Sequence, residues 1–202
     1  MSLDMTDLAL PLLIFLAPLA YSPGPGNLFF SANGARFGFA ATLPANLGYH
    51  VATLIVTLAI GLGFGQMAGM APSLFQFIRY AGSAYVIWLA FGLWKAGAAS
   101  GESGEAQPAN ALDGAILLIL NPKAYVIIGL MFSQFLTPGS GDTARILAIS
   151  ILFTLNNCAA FSLYAALSDR LAARWRNPRR ARRLNRVFAL LLAGVSIWML
   201  VA

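Results

Sequence analysis

The sequence predicts an all-α polytopic membrane protein with six transmembrane helices, arranged as a 3+3 inverted repeat in which helices one and four are broken. Three observations lead to this prediction. Of the 202 residues, 59% are hydrophobic and 10% are charged, and the mean hydropathy is +0.74, whereas a soluble domain carries about 25% charged residues. The apolar residues fall into six long stretches, and two of these, in matching places of the two halves, are interrupted by Pro and Gly.

The six predicted spans follow these apolar stretches, with ends placed to within about 2–4 residues. Most reach the roughly 17–25 residues that a spanning helix needs, and the slightly short last one can be extended by snorkelling of Asn185 and Arg186. The first stretch does not predict a cleavable signal peptide, because Asp4 and Asp7 precede it and no Lys or Arg does. The spans cover residues 8–30, 40–65, 73–94, 112–136, 146–167 and 187–202.

The chain is predicted to form a single membrane transporter domain, residues 1–202, with a linker between two halves. Residues 97–110 are rich in Gly, Ser, Ala, Glu and Pro, a composition typical of flexible linkers. This division leaves one three-helix half in residues 1–96 and another in residues 111–202. Three crossings in each half make the two halves enter the membrane in opposite senses, as in an inverted repeat.

Basic residues predict the orientation of the chain in the membrane. Eight Arg residues lie between positions 170 and 186, and Arg36 and Lys95 belong to the same side. The positive-inside rule makes this side cytoplasmic and both termini periplasmic. The Arg loop 170–186 supplies much of the net charge of +6, and we expect it to contact the headgroups of membrane lipids. Nucleic acid is not an expected partner, because no DNA- or RNA-binding module surrounds the loop.

Two breaks interrupt the first and fourth spans. The first covers residues 21–27 (YSPGPGN) and the second covers residues 121–123 (NPK). Pro has no N–H, and its ring clashes with the carbonyl four residues earlier, so each Pro frees a carbonyl. A broken helix survives at membrane depth only when it is buried in protein or lines a wet cavity. Paired breaks in repeated halves therefore indicate the binding site of a transporter, and a rise of about 1.5 Å per residue places both in the middle third of the bilayer.

Each break also ends in a signal for the start of a helix. Asn121 and Pro122 combine a strong N-cap residue with Pro at the first helical position. Asn27 precedes the apolar run of residues 28–30 in the same way. We therefore expect each break to present the N-terminus of a half-helix, whose partial positive charge and free N–H groups suit a carboxylate.

Spans two and five add polar side chains at similar depth. Asn46, His50 and Thr53 share one helix face, and span five carries Asn156 and Asn157. For the Asn and Thr side chains, hydrogen bonding to neighbouring helices is an equally open interpretation. His50 is either a proton carrier or a neutral side chain bonded to a carbonyl. The predicted substrate-binding residues are Pro23, Gly24, Pro25, Gly26, Asn27, Asn46, His50, Thr53, Asn121, Pro122, Lys123, Asn156 and Asn157.

Lys123 is the strongest candidate among them for binding the substrate. A Lys near the bilayer centre costs about 3 kcal/mol on insertion scales, and the first turn of a helix is unfavourable for a cation. No acidic residue lies at similar depth, so the carboxylate of a substrate would offset this cost. The alternative is that Lys123 snorkels toward the cytoplasm.

At four motifs the chain resembles the LysE/RhtB superfamily of amino-acid exporters, in the same order and spacing over almost the whole length. The motifs are residues 23–28 (PGPGNL), 36–38 (RFG) with the region of Gly48, 80–89 (YAGSAYVIWL) and 120–125 (LNPKAY). The resemblance implies a bacterial inner-membrane protein that exports a small amino acid or a derivative, driven by the proton motive force with protons as the coupling ion. Similar exporters of cationic amino acids tend to carry carboxylates at positions that match Thr53 and Ile127. Since neither is acidic here, we expect a neutral or acidic substrate rather than a cationic one.

Two other classes of protein fit the sequence less well. A metal-ion exporter of a related superfamily branch would need carboxylate or thiolate ligands at depth, which the predicted spans lack. A membrane-embedded enzyme would need a cluster of acids, His, Ser or metal ligands near one interface, but Glu102, Glu105 and Asp113 lie by the linker and the one His lies elsewhere. We therefore expect a transporter that is not an enzyme and needs no cofactor. Small-residue faces such as Ala81-Gly82 and Ala193-Gly194 suit either packing within the chain or a homodimer.

Overall fold

The protein is described by a computed structural model that covers residues 5–63, 72–98, 107–136, 143–173 and 178–201. Within these ranges the chain is helical and contains no strand, so the all-α class is confirmed. A short 3-10 turn, Ala40–Thr42, leads into the third helix. The α-helices are α1 (Met5–Tyr21), α2 (Pro25–Phe37), α3 (Leu43–Gly63), α4 (Pro72–Ala98), α5 (Ala111–Ile119), α6 (Pro122–Phe135), α7 (Thr143–Ala173) and α8 (Pro178–Val201).

The helices match the predicted spans with different degrees of completeness. Two segments are long and apolar enough to cross a membrane: the 3-10 turn together with α3, and α7. The pairs α1–α2 and α5–α6 meet the same test as bent pairs, each with a bend of 63° at the predicted break. The apolar parts of α4 and α8 are shorter, residues 80–92 and 185–197. Two to four spans are thus supported by the described residues, and the six-span 3+3 repeat stays a prediction.

Several predicted features fall partly or wholly outside the described residues. Residues 99–106 include most of the proposed linker, and residues 174–177 belong to the Arg loop. Residues 1–4 and 137–142 contain two of the acidic residues on the side that is predicted to be periplasmic. The flexibility of the linker and the contact of the Arg loop with headgroups therefore stay predictions.

Proline at the first helical position determines where both half-helices begin. Asn121 is the N-cap of α6 and Pro122 opens the helix, as predicted. In the first break, however, the N-cap is Gly24 in an extended conformation, and Pro25 opens α2. The prediction that Asn27 is the N-cap is therefore wrong, since Pro25 already starts the helix two residues earlier. Asn27 lies in the first turn, and its side chain is free for another contact.

The two ends of the helix bundle are packed in different ways. We call the end at which α2 finishes and α5 begins the linker side, and the end at which α1 begins and α6 finishes the N-terminal side. On the linker side, Gly38 ends α2 with a φ of 88°, a conformation that favours glycine. Asp169 of α7 then accepts a hydrogen bond from the Phe39 N–H at 3.0 Å. The Asn33 side chain of α2 also accepts one from the Ala109 N–H, at 3.3 Å.

Glycine brings helix backbones together on the linker side. A Cβ atom built on Gly34 of α2 would overlap the carbonyl group of Ala165 in α7. One built on Gly48 of α3 would overlap the carbonyl group of Ala111 in α5, and Gly114 of α5 meets the carbonyl of α3 residue 45 in the same way. Only a residue without a side chain permits such close contact.

Large side chains fill the N-terminal side instead. Three Leu residues of α1 pack against aliphatic and aromatic residues of α6 and α7, and Phe15 and Phe135 meet edge to face at 5.5 Å between ring centroids. The two breaks lie between this layer and the glycine contacts. The buried side chains of the layer include Leu8, Leu12, Leu16, Ile128, Met131, Phe132, Ile149 and Phe153.

Candidate functional site

The two breaks meet around one small cavity. Its volume is about 20 Å³, which is room for about one water molecule. An amino acid has several times as many heavy atoms, so this conformation is closed around the site. Four parts of the fold contribute to the lining, the two broken spans together with α3 and α7. The lining residues are Leu19, Ala20, Gly24, Gly26, Asn27, Tyr49, Asn121, Lys123, Ala124, Ile127, Phe153, Asn157 and Phe161.

Side chains satisfy the carbonyl groups that the first break releases at the end of α1. The Leu19 carbonyl accepts a hydrogen bond from the Ser22 hydroxyl at 3.0 Å, and the Ala20 carbonyl accepts one from the Asn27 amide at 3.0 Å. The Tyr21 carbonyl accepts one from the hydroxyl of Tyr164 in α7 at 2.8 Å. A broken helix at membrane depth requires such internal partners, and they fix the end of α1 toward α2 and α7.

Backbone N–H groups at the start of the half-helices have no such partners. In α2 the N–H groups of Gly26 and Asn27 make no hydrogen bond within the described part of the chain, and the same holds for the N–H of Lys123 in α6. Gly26 and Asn27 are buried. These groups carry the partial positive charge of a helix N-terminus. The predicted anion-binding amides are therefore free and close to the cavity.

Lys123 links the two breaks directly. Its ammonium group donates to the Ser22 carbonyl and to the Ser22 hydroxyl, both at 2.9 Å. A Cβ atom on Gly24 would lie 3.0 Å from the Lys123 Nζ atom, so glycine leaves room for the ammonium group. Lys123 makes no ion pair with any residue that the structure describes. The ammonium group therefore points across the break rather than along its own helix toward the membrane surface.

A polar network extends from the cavity into α3 and α7. The Asn121 amide donates to the Tyr49 hydroxyl at 3.0 Å, and the Asn121 Oδ1 atom is buried with no partner among the described residues. The His50 Nδ1 atom lies 2.8 Å from the Asn46 carbonyl, and its Nε2 atom lies 3.4 Å from the Asn157 amide nitrogen. Because a carbonyl only accepts, we assign the proton to Nδ1 and an acceptor role to Nε2, which is a neutral His.

The structure brings only some of the predicted residues together. Gly24, Gly26, Asn27, Asn121, Lys123 and Asn157 line the cavity, whereas Pro23, Pro25 and Pro122 shape the breaks without lining it. The other four predicted residues lie outside its lining. The Asn46 amide donates to the Ser162 hydroxyl at 3.2 Å, and the Thr53 hydroxyl donates to a backbone carbonyl of its own helix at 2.8 Å. His50 contacts Tyr49 and Asn157. The Asn156 amide nitrogen is buried without a partner among the described residues.

Phe161 and Tyr49 line the cavity, although neither is among the predicted substrate-binding residues. A Cβ atom on Gly26 would overlap the Phe161 ring, so this ring packs directly against Gly26 in the first turn of α2. The Phe161 ring centroid lies 4.8 Å from that of Tyr49 and 5.4 Å from that of His50. No signal distinguishes Phe161 from a packing aromatic in the sequence. The position of Tyr49 beside His50, on the polar helix, could have indicated its role.

Within the described residues, no three His, Cys, Asp or Glu side chains are grouped in a way that could hold a metal ion. The site is instead built from amide groups, one ammonium group and aromatic rings. Such a set suits a small organic ion with a carboxylate.

Comparisons with known proteins match this chain to one family of translocators and to bacterial efflux proteins. A family model described as LysE type translocator matches residues 17–202. A homoserine/homoserine lactone efflux protein of Salmonella typhimurium is 27% identical over 187 residues, 91% of this chain and 88% of the relative. A cysteine/O-acetylserine efflux protein of Escherichia coli K12 is 29% identical over 186 residues, 88% and 90% of the two chains. An uncharacterized membrane protein of Vibrio cholerae is 27% identical over 180 residues, 87% and 88% of the two chains. No solved structure gives a significant match.

Proposed function

The chain belongs to the LysE type translocator family, and we propose that it is a secondary transporter that exports a small amino acid or derivative across the bacterial inner membrane. The substrate is neutral or acidic rather than cationic. One observation carries this proposal: two broken helices meet at a buried cavity that Lys123 also lines, and the N–H groups of Gly26 and Asn27 have no partner among the described residues.

The carboxylate of the substrate binds at these donors. Helix N-terminal amides and a Lys together attract an anion, and the carboxylate replaces Ser22 as the partner of the Lys123 ammonium group. The unpartnered Asn121 Oδ1 atom faces the same region and accepts from the α-ammonium group of the substrate. A zwitterion thus gives hydrogen-bond partners to backbone amides and to an Asn121 oxygen that have none among the described residues.

The charge of the site favours substrates without a basic side chain. Lys123 lies in the lining, and none of the described lining residues is acidic. A Lys or Arg side chain would therefore be buried without a partner, which is costly. The relatives named for homoserine and for cysteine or O-acetylserine efflux agree with this preference, since these amino acids have uncharged side chains.

Transport requires the closed site to open toward each side of the membrane in turn. Opening to the linker side, which we propose is cytoplasmic, separates the glycine contacts. Opening to the N-terminal side, which we propose is periplasmic, separates the layer of large side chains. Protons are the proposed coupling ion. His50 is the candidate carrier, because protonation of Nε2 changes its hydrogen bond with Asn157 and with it the wall of the cavity.

Counterflow in proteoliposomes tests the proposal. Vesicles loaded with neutral, acidic or basic amino acids are assayed with the wild type, with Lys123→Ala and with Arg183→Ala, a matched loss of an exposed cation far from the cavity. We expect Lys123→Ala to reduce exchange of carboxylate-bearing substrates at least tenfold and Arg183→Ala to leave it unchanged.

The same assay also tests whether the substrate is an amino acid and whether transport is coupled to protons. The proposal fails if the wild type exchanges no amino acid of a broad panel. The role of Lys123 fails if Lys123→Ala transports like the wild type. An imposed pH gradient should drive accumulation in the wild type, and His50→Gln should retain counterflow but lose this accumulation. A His50→Gln variant that still responds to the gradient contradicts the assignment of His50.

A further inference from the structure

A second and larger cavity opens on the linker side, away from the breaks. Its volume is about 520 Å³, and α2, α4, α8 and the segment around the start of α5 form its walls. Among the residues that the structure describes, none lines both this cavity and the small central one. The larger cavity is therefore a separate feature and does not belong to the proposed substrate site.

Two basic side chains line this cavity without an acidic partner. The Arg36 guanidinium lies 4.8 Å from the Phe37 ring centroid, and the Lys95 Nζ atom lies 4.5 Å from the Phe91 ring centroid. Neither makes an ion pair with a residue that the structure describes. They are contributed by different helices, α2 and α4, which both run toward the linker side. A bound anion can therefore be held from two walls at once.

One acidic residue, Asp113, also lines the cavity. Its carboxylate accepts a hydrogen bond from the Asn110 N–H at 2.9 Å, as part of the capping box that starts α5. The N-terminus of α5 stabilises this negative charge. With two cations and one anion, the lining carries a net charge of +1. Asp113 is committed to its own helix, and the cations stay available to a ligand.

The rest of the lining is apolar and partly exposed. Trp88 and Phe91 of α4 are 64% and 55% exposed, and Leu192 of α8 is fully buried behind them. Phe29 precedes Arg36 by seven residues and Trp88 precedes Lys95 by seven, so the two cations lie about 10 Å nearer the linker side than Phe29 and Trp88 do. The cavity thus has a basic end toward the linker side and an apolar end deeper along the same helices.

We propose that this cavity binds an anionic phospholipid. The phosphate group lies between Arg36 and Lys95, and an acyl chain runs along Trp88 and Phe91. A basic pocket between helices at the level of the headgroups is suited to this ligand, and the apolar end of the cavity, which lies deeper, is suited to its acyl chain. A soluble phosphate would leave the apolar wall in water. The inference needs only that the chain lies in a membrane, and it does not depend on the transported substrate.

Lipid-dependent stability of the purified full chain tests the proposal. The apparent melting temperature in detergent is followed while phosphatidylglycerol or phosphatidylcholine is added to the wild type, to Arg36→Gln/Lys95→Gln and to the matched pair Arg170→Gln/Arg183→Gln. Each basic residue near an anionic headgroup contributes about fivefold in affinity, so we expect the cavity variant to bind phosphatidylglycerol about 30-fold more weakly than the wild type. The matched pair removes two charges of the Arg loop and so reports the general attraction of headgroups, and it should weaken this affinity clearly less than the cavity variant does.

Three results would overturn the proposal. One is an unchanged response of the cavity variant to phosphatidylglycerol, and another is an equal loss in both double variants, which would indicate a general surface charge. The third is competition by glycerol phosphate as strong as that by the phospholipid, which would indicate a site for a free anion. If the double variant does not fold, Lys95→Gln alone changes an exposed residue, and we expect it to weaken the affinity about fivefold.

Discussion

The linker side and the N-terminal side of the bundle are closed by different kinds of contact. On the linker side, Gly34 and Gly48 place one helix backbone directly against the carbonyl groups of another. On the N-terminal side, branched and aromatic side chains such as Leu12 and Phe132 fill the space between the helices. Carbonyl groups within a helix cannot rotate away, whereas side chains can change rotamer. In the proposed transport cycle, we therefore expect the linker side to open only when whole helices move, whereas the N-terminal side can adapt locally.

The largest effect is expected from a single methyl group on the linker side. Gly48→Ala places a Cβ against the carbonyl of Ala111 and should lower the free energy of unfolding by about 3 kcal/mol, the upper end of overpacking costs. The matched control is Gly129→Ala, where a Cβ meets nothing within 4 Å and should be neutral or slightly stabilising. Thermal unfolding in detergent measures both. Equal stability of the two variants would show that the glycine contacts do not hold the linker side closed.

A smaller effect is expected from a void on the N-terminal side. Leu12→Ala removes a fully buried side chain, while Leu10→Ala on the same helix removes one that is 64% exposed. Because helices in lipid gain no hydrophobic free energy from association, mainly the packing term is lost, about 1–2 kcal/mol. Counterflow should persist in Leu12→Ala, since neighbouring side chains adjust. If Leu12→Ala abolishes exchange while keeping the fold, the N-terminal side is as rigid as the linker side.

The smallest effect concerns Phe161, which lies between the two sides and covers Gly26 in the first turn of α2. Phe161→Leu shortens this cover, and we expect larger neutral amino acids to compete several-fold better for counterflow, while small ones are little affected. One methylene group in a tight apolar pocket is worth about 10–200-fold, and we expect less here because Leu still fills most of the space that Phe161 occupies. Leu163→Ala, an exposed position on the same helix, is the control. An unchanged size preference in Phe161→Leu would remove Phe161 from the site.

The breaks and their helix starts could be predicted from the sequence to within a residue or two. Asn121 and Pro122 act on their own backbone, so their N-cap and first-turn positions follow from local chemistry. Asn27 was misassigned as an N-cap because Pro25, two residues before it, starts the helix first. Its side chain instead donates to the Ala20 carbonyl at the end of α1, a contact across the break that local pattern does not predict.

Which polar residues reach the cavity could not be predicted from their spacing. The shared face of Asn46, His50 and Thr53 is wide, and the rotation of α3 decides which part of it meets the broken spans. That rotation turns Asn46 toward Ser162 of α7 and leaves Thr53 bonded to its own helix. Tyr49, one position along, reaches Asn121 instead.

The sequence by itself determined the helical class, the two breaks and the residues that open each half-helix, because Pro, Gly and N-cap residues act within one turn of their own backbone. Only the folded arrangement of the helices brings the breaks together, carries Lys123 to Ser22 across them and places Phe161 against Gly26 of α2. These contacts join residues more than 100 positions apart, and they depend on the depth and rotation of several helices at once.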